Sequence, residues 1–148
     1  MTTLESFKAL GKLKPHELAR DSGALITLDT YEDLLEYAHR YPIVFFSHQW
    51  LSWAEPDPDR LQYREMIAAC EQLCQRHGYT ATQLHVFLDY ISIPQRNMRL
   101  RLCAIDSLGV FASIAKHFVV VAPSAIHKDT MQVCDKASYA RRGWYAAQ

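Results

Sequence analysis

Two residues near the carboxyl end of the chain have the types and the spacing to do chemistry together. Gln148 follows Trp144 by four residues, and on a helix this spacing puts both side chains on one face. With a carboxylate at position 148, the pair would provide a ring that packs on a ligand and a charge that acts on that ligand. Glutamine has the length of glutamate without its charge. The pair therefore predicts the shape of an active site without its charged group. The alternative is that Trp144 packs in the core and Gln148 is a solvated end residue.

Three apolar segments that alternate with helical patterns would position such a site. Strands are predicted at 43–46, 84–88 and 118–122, and each reads as buried on both faces. Helices are predicted from Thr30 to residue 41, after a loop at 55–59 up to Gly78, and from Asn97 over about five turns. Strands of this kind joined by helices predict an α/β domain with a parallel sheet and the first strand in the middle. A small N-terminal layer with a strand at 24–28 completes the predicted elements.

Ligands in parallel α/β sheets bind beyond the carboxyl ends of the strands. The sequence puts Ser47 with His48, Asp89 with Tyr90, and Pro123 with Ser124 at these ends. The predicted ligand-binding residues are Ser47, His48, Trp50, Asp89, Tyr90, Arg96 and Trp144.

Arginines at the start of the third predicted helix raise a separate possibility. Arg96, Arg99 and Arg101 oppose the helix dipole there and would favour a bound anion such as a ligand phosphate. The alternative is a solvated helix start whose arginine stems lie on the surface.

Several familiar chemistries lack their motifs. The five glycines are too dispersed for a nucleotide-binding loop. Ser47, His48 and Asp89 have the residue types of a hydrolase triad, but no Gly-x-Ser-x-Gly elbow is present and neighbouring strand residues point to opposite faces. The four cysteines read as reduced thiols, and Cys70, Cys74 and His77 would supply too few ligands for structural zinc. No metal site or cofactor is predicted.

Composition narrows the function classes further. Sixteen basic residues balance sixteen acidic ones, so the net charge indicates neither a nucleic-acid nor a membrane-surface binder. No apolar stretch approaches eighteen residues, and the amino terminus lacks the pattern of a secretory signal. The cytoplasm is the default location.

The segment from Pro42 to Gln148 resembles Toll/interleukin-1 receptor (TIR) type domains, closest to the heterokaryon-incompatibility (HET) type. The resemblance depends on the order and spacing of several short motifs. These motifs are Val44-Phe45-Phe46-Ser47, Val86-Phe87-Leu88-Asp89, Ile91-Ser92-Ile93-Pro94-Gln95, Val119-Val120-Val121 and Arg142-Gly143-Trp144.

This resemblance implies a flavodoxin-like three-layer sandwich, self-association, and cleavage of NAD+ as a substrate in immune or cell-death signalling. The catalytic tryptophan and glutamate of the family map onto Trp144 and Gln148, so catalysis is expected to be impaired. Tyr145 is a lesser departure from the family pattern. Residues 1–41 are predicted to be an extension packed on a domain at 42–148, which is expected to be truncated at its carboxyl end. The alternative function is a non-catalytic, self-assembling signalling scaffold.

Overall fold

The structure is a computed structural model that describes residues 1–141. Trp144 and Gln148 therefore lie outside the described residues. In chain order the elements are β1 (Thr2–Thr3), α1 (Leu4–Leu10), α2 (His16–Asp21), α3 (Tyr31–Arg40), β2 (Ile43–His48), α4 (Leu61–His77), β3 (His85–Phe87), α5 (Asp89–Ser92), α6 (Met98–Asp106), α7 (Leu108–Ile114), β4 (His117–Val121), β5 (Ala125–Ile126), β6 (Val133–Cys134) and α8 (Lys136–Ala140).

A four-stranded sheet with the order β1-β3-β2-β4 forms the centre of the fold. Strand β2 is parallel to both β3 and β4, so the predicted parallel arrangement with the first strand in the middle is confirmed. The apolar run from Ile43 to Phe46 is buried, as a strand covered on both faces requires. Because all three strands run in one direction, their carboxyl ends meet at one edge of the sheet.

The N-terminal segment takes part in this sheet, a feature that was not predicted from the sequence. Strand β1 pairs antiparallel with β3, and Leu4 and Phe7 of α1 are buried in the core. The strand predicted at 24–28 was wrong. This segment is irregular, and Ile26 exchanges two backbone hydrogen bonds with Met1, which precedes β1. The predicted boundary at residue 41 stays a prediction.

Helix α4 covers one face of the sheet, and its predicted position is confirmed. Its first turn is capped from the preceding loop, because the Asp57 carboxylate accepts the N–H groups of Gln62 and Tyr63 at 3.1 and 2.7 Å. Met66 is fully buried. The helix ends at Gly78, whose φ of 72° is the left-handed conformation that glycine adopts without strain.

The long helix predicted from Asn97 is instead two helices, α6 and α7, which meet at Ser107. The Ser107 hydroxyl donates a hydrogen bond to the carbonyl of Cys103 at 3.0 Å, a contact that bends helices, and Gly109 weakens the helix just after it. Leu108 begins α7 and is buried against the second face of the sheet.

Strand β4 differs from the prediction in its burial. Within residues 1–141 it has a strand neighbour on one side only, and Phe118 and Val120 remain 43% and 39% exposed. The expectation that this strand is buried on both faces was therefore wrong, because among the described residues the face that carries Phe118 and Val120 stays partly exposed. Among the described residues, no helix has the length and apolar character needed to cross a bilayer.

Candidate functional site

A cavity of about 200 Å3 opens at the carboxyl end of β2. Its walls combine apolar rings with a small number of polar groups. The lining residues are Phe45, Phe46, Ser47, His48, Trp50, Asp89, Leu108 and Tyr139. Four predicted ligand-binding residues thus line one cavity, because the sheet brings the ends of β2 and β3 together.

His48 is the centre of a hydrogen-bond network beneath this cavity. Its Nε2 lies 3.1 Å from Oδ1 of Asp89, and its Nδ1 lies 2.7 Å from Oε1 of Gln62. The Gln62 amide nitrogen donates to the carbonyl of Gln49 at 2.7 Å, so the amide oxygen faces the histidine. Both ring nitrogens therefore meet acceptors. Only the protonated imidazolium can donate from both nitrogens at once.

The charges of His48 and Asp89 support each other. Burial acts to lower the pKa of His48, but the hydrogen bond and negative charge of Asp89 outweigh it and raise this pKa above the usual histidine value. Burial likewise acts to raise the pKa of Asp89, but the hydrogen bond and charge of His48 outweigh it, and this pKa falls below its usual value. The pair is therefore an ion pair over a widened pH range.

Ser47 belongs to a different set of contacts. Its hydroxyl shares a short hydrogen bond with the hydroxyl of Tyr139 on α8. Next to it, the Gln49 amide donates to the Ser138 hydroxyl at 3.2 Å, and a capping box between Asp135 and Ser138 starts the helix. These contacts attach α8 to the end of β2. No hydrogen bond joins Ser47 to His48 within residues 1–141, so the described site is not a serine hydrolase triad.

Two of the predicted residues, Tyr90 and Arg96, do not line the cavity. The Tyr90 ring packs edge-on against Trp50 with centroids 5.4 Å apart, and it is buried in the main core. Arg96 is exposed, and its backbone N–H donates to Oε1 of Glu17 at 2.8 Å. Glu17 also accepts the N–H of Gln95 at 2.8 Å, so α2 fixes the loop that follows β3.

The end of β4 is separate from this cavity as well. Pro123 lines a different groove, together with Glu65 of α4. The carboxyl edge therefore divides into two regions, and only the ends of β2 and β3 share the cavity with α8.

Sequence reasoning missed Gln62 and Tyr139. Gln62 is fully buried next to Tyr63 on the core face of α4, and a buried amide must find hydrogen-bond partners. That was a usable signal, although it could not identify His48 as the partner. Tyr139 carried no comparable signal.

A metal site has no support among the described residues, since no three histidine, cysteine or acidic side chains cluster there. Cys70 and Cys74 are free, and burial raises the pKa of the Cys70 thiol to about 12.

A comparison with protein families, curated proteins and solved structures found no match. The resemblance to TIR-like domains of the HET type stays a prediction, and the function must be argued from the cavity itself.

Proposed function

We propose that the chain is a TIR-like domain of the HET type that binds NAD+ and cleaves it at the bond between nicotinamide and ribose. Its fold would be flavodoxin-like, and its role would be in immune or cell-death signalling in the cytoplasm. The observation that supports this function best is the shared cavity. It brings together Ser47, His48, Trp50 and Asp89 at the carboxyl edge of a parallel sheet, where α/β proteins bind nucleotides.

Helix α8 adds support from the other side of the cavity. Tyr139 lies in the cavity wall, and Arg141 lies beside Gln49 at the end of β2. The segment with Trp144 and Gln148 follows within a few residues of these positions. A tryptophan there would pack on a bound ring and exclude water from the reacting centre.

The proposed reaction is simple to balance. As the bond from C1′ of the ribose to the pyridinium nitrogen breaks, its electron pair leaves with nicotinamide, which becomes neutral. Water adds to C1′ and releases one proton to the solvent. Positive charge develops on the ribosyl group during this step, and a carboxylate stabilises that charge where an amide only orients hydroxyls. Gln148 would therefore lose on the order of 3 kcal/mol of transition-state stabilisation, roughly a hundredfold in rate.

Nicotinamide release from NAD+ tests the proposal directly. The native chain should release it slowly, and Gln148→Glu should raise the rate roughly a hundredfold, because the two side chains differ mainly in charge. Trp144→Ala in the Gln148→Glu background should remove most of the gained activity. If Gln148→Glu binds NAD+ but releases no nicotinamide at any protein concentration, the enzymatic proposal fails.

The second candidate is a non-catalytic scaffold that assembles with copies of itself. Exposed apolar side chains on α6 favour it, because Met98, Leu100 and Leu102 are each more than half exposed. The arginines at positions 96 and 99 border this surface. A chain that self-associates strongly in sedimentation and releases no nicotinamide in either form would support this candidate.

A further inference from the structure

The hairpin of β5 and β6 is closed by a tight turn that depends on one histidine. His127 is only 6% exposed, and its Nδ1 accepts the backbone N–H groups of Asp129 and Thr130, each at 3.2 Å. Within the same turn Met131 has a φ of 56°, a left-handed conformation that residues other than glycine adopt at a cost. The turn therefore needs the hydrogen bonds that His127 accepts.

The same turn holds the loop between β2 and α4. Oδ2 of Asp129 accepts the backbone N–H of Trp53 at 2.8 Å, and the N–H of Lys128 donates to the carbonyl of Leu51 at 2.8 Å. The Lys128 side chain also forms an ion pair with Asp59, near the end of this loop. Two neighbouring residues of the turn thus supply all of these contacts with the loop.

These contacts are those of a neutral His127. A neutral imidazole has one nitrogen with a free electron pair, and the two N–H donors identify Nδ1 as that nitrogen. The ring must therefore take up a proton at Nδ1, which then can no longer accept the N–H groups of Asp129 and Thr130. The new donor would face Oδ2 of Asp129, 3.9 Å away, which is the atom that accepts the N–H of Trp53.

Asp129 is charged throughout the pH range in which histidines usually titrate. Hydrogen bonds from the N–H of Trp53 and the hydroxyl of Ser52 lower the pKa of this carboxyl below its usual value. The turn and the loop also bring Lys128 and Asp59 to this region, and these two charges pair with each other. The Asp129 carboxylate is therefore the charge that attracts a protonated His127.

We propose that His127 is an acid-operated latch for the loop between β2 and α4. At neutral pH the ring closes the turn and leaves the Asp129 carboxylate free to hold Trp53. In acid the ring takes a proton from the solvent, Nδ1 donates to Asp129, and the N–H of Trp53 loses its acceptor. The loop then loosens while the core stays folded. This inference is independent of the proposed function, because it concerns the contacts between the turn and the loop alone.

Backbone amide exchange, measured by NMR at pH 7.5 and pH 5.5, tests the latch. After correction for the intrinsic effect of pH, protection of the Trp53 amide in the native chain should fall roughly tenfold or more at pH 5.5, because its charged acceptor is withdrawn. Protection of Met66, which is fully buried in α4, should not change. In His127→Asn the amide oxygen can take the place of Nδ1 and accept the same N–H groups without titrating. Trp53 should then be equally protected at both pH values.

His39→Asn serves as the control, because it removes an exposed histidine on α3 and should keep the native response. Equal protection of Trp53 at both pH values in the native chain would overturn the inference, as would a native response in His127→Asn. If that variant does not fold, the native chain still decides. The ring signals of His127 must then titrate with the same midpoint as the amide signals of Asp129, Thr130 and Trp53, and a different midpoint would refute the latch.

Discussion

Replacing Asp89 with asparagine should destabilise the protein in a way that depends on pH. The change keeps the size of the side chain and removes its charge, so His48 loses the partner that holds its proton. The ring is 1% exposed, and burial alone acts to lower its pKa. In the variant we expect His48 to become neutral at a lower pH than in the native chain. The stability difference between the two chains should therefore follow the protonation of the ring.

Two opposite titrations define the pH range of the effect. Because the folded pKa of His48 is raised, its contribution is complete below the unfolded value of about 6.5 and is lost as the pH rises through the folded pKa. Because the folded pKa of Asp89 is lowered, its contribution is complete above the unfolded value of about 3.9 and is lost as the pH falls through the folded pKa. The pair should stabilise the fold most between about pH 4 and pH 6.5.

The size of the effect follows from the exposure of the pair. Hydrogen bonds to charged groups contribute about 1.5–3 kcal/mol. The Asp89 side chain is 41% exposed, so solvent screens part of this contribution. We expect Asp89→Asn to lower the free energy of unfolding by about 1–2 kcal/mol at pH 5.5 and by less at pH 9.

Urea unfolding of both chains at pH 5.5, 7 and 9 would measure this difference. Asp106→Asn serves as the control, since it removes an exposed carboxylate and should change stability by less than about 0.5 kcal/mol at each pH. If Asp89→Asn destabilises the protein equally at pH 5.5 and pH 9, the stability difference does not follow the protonation of His48 in this range.

Two further predictions concern the borders of the site. Arg96→Glu combined with Arg99→Glu should weaken self-association in sedimentation. The control, Arg64→Glu combined with Arg76→Glu, makes an equal charge change at exposed positions of α4 and should not weaken it. If both double variants associate equally, Arg96 and Arg99 do not contribute to self-association. Tyr139→Phe should lower the free energy of unfolding by about 0.5–1.5 kcal/mol in urea, because it removes the hydroxyl that bonds to the end of β2, and an unchanged midpoint would mean that this contact does not hold α8 in place.

The sheet was predictable because its signal is local. An uninterrupted apolar run such as the one before Ser47 indicates burial on both faces, and such runs that alternate with helical patterns favour a parallel sheet under helices. Features at the sheet edges have no such signal. Whether β4 has a second strand neighbour, and whether Thr2 and Thr3 form a strand, depends on which distant segments meet there. Short strands of two residues are also too brief to show a periodic pattern.

Part of the cavity lining was predictable because its signal is also local. His48 and Asp89 each follow a strand directly, so the parallel arrangement alone puts them at one edge. Gln62 is fourteen positions from His48 in the sequence, and Tyr139 is ninety-two positions from Ser47. Gln62 and Tyr139 lie on helices whose packing angles depend on the whole core. The charge state of His48 depends on Gln62, because the orientation of that amide decides whether the ring faces an acceptor or a donor. The protonation of His48 therefore depends on a helix residue that no sequence motif identifies. Gln62→Leu should lower the pKa of His48 even though every predicted site residue remains.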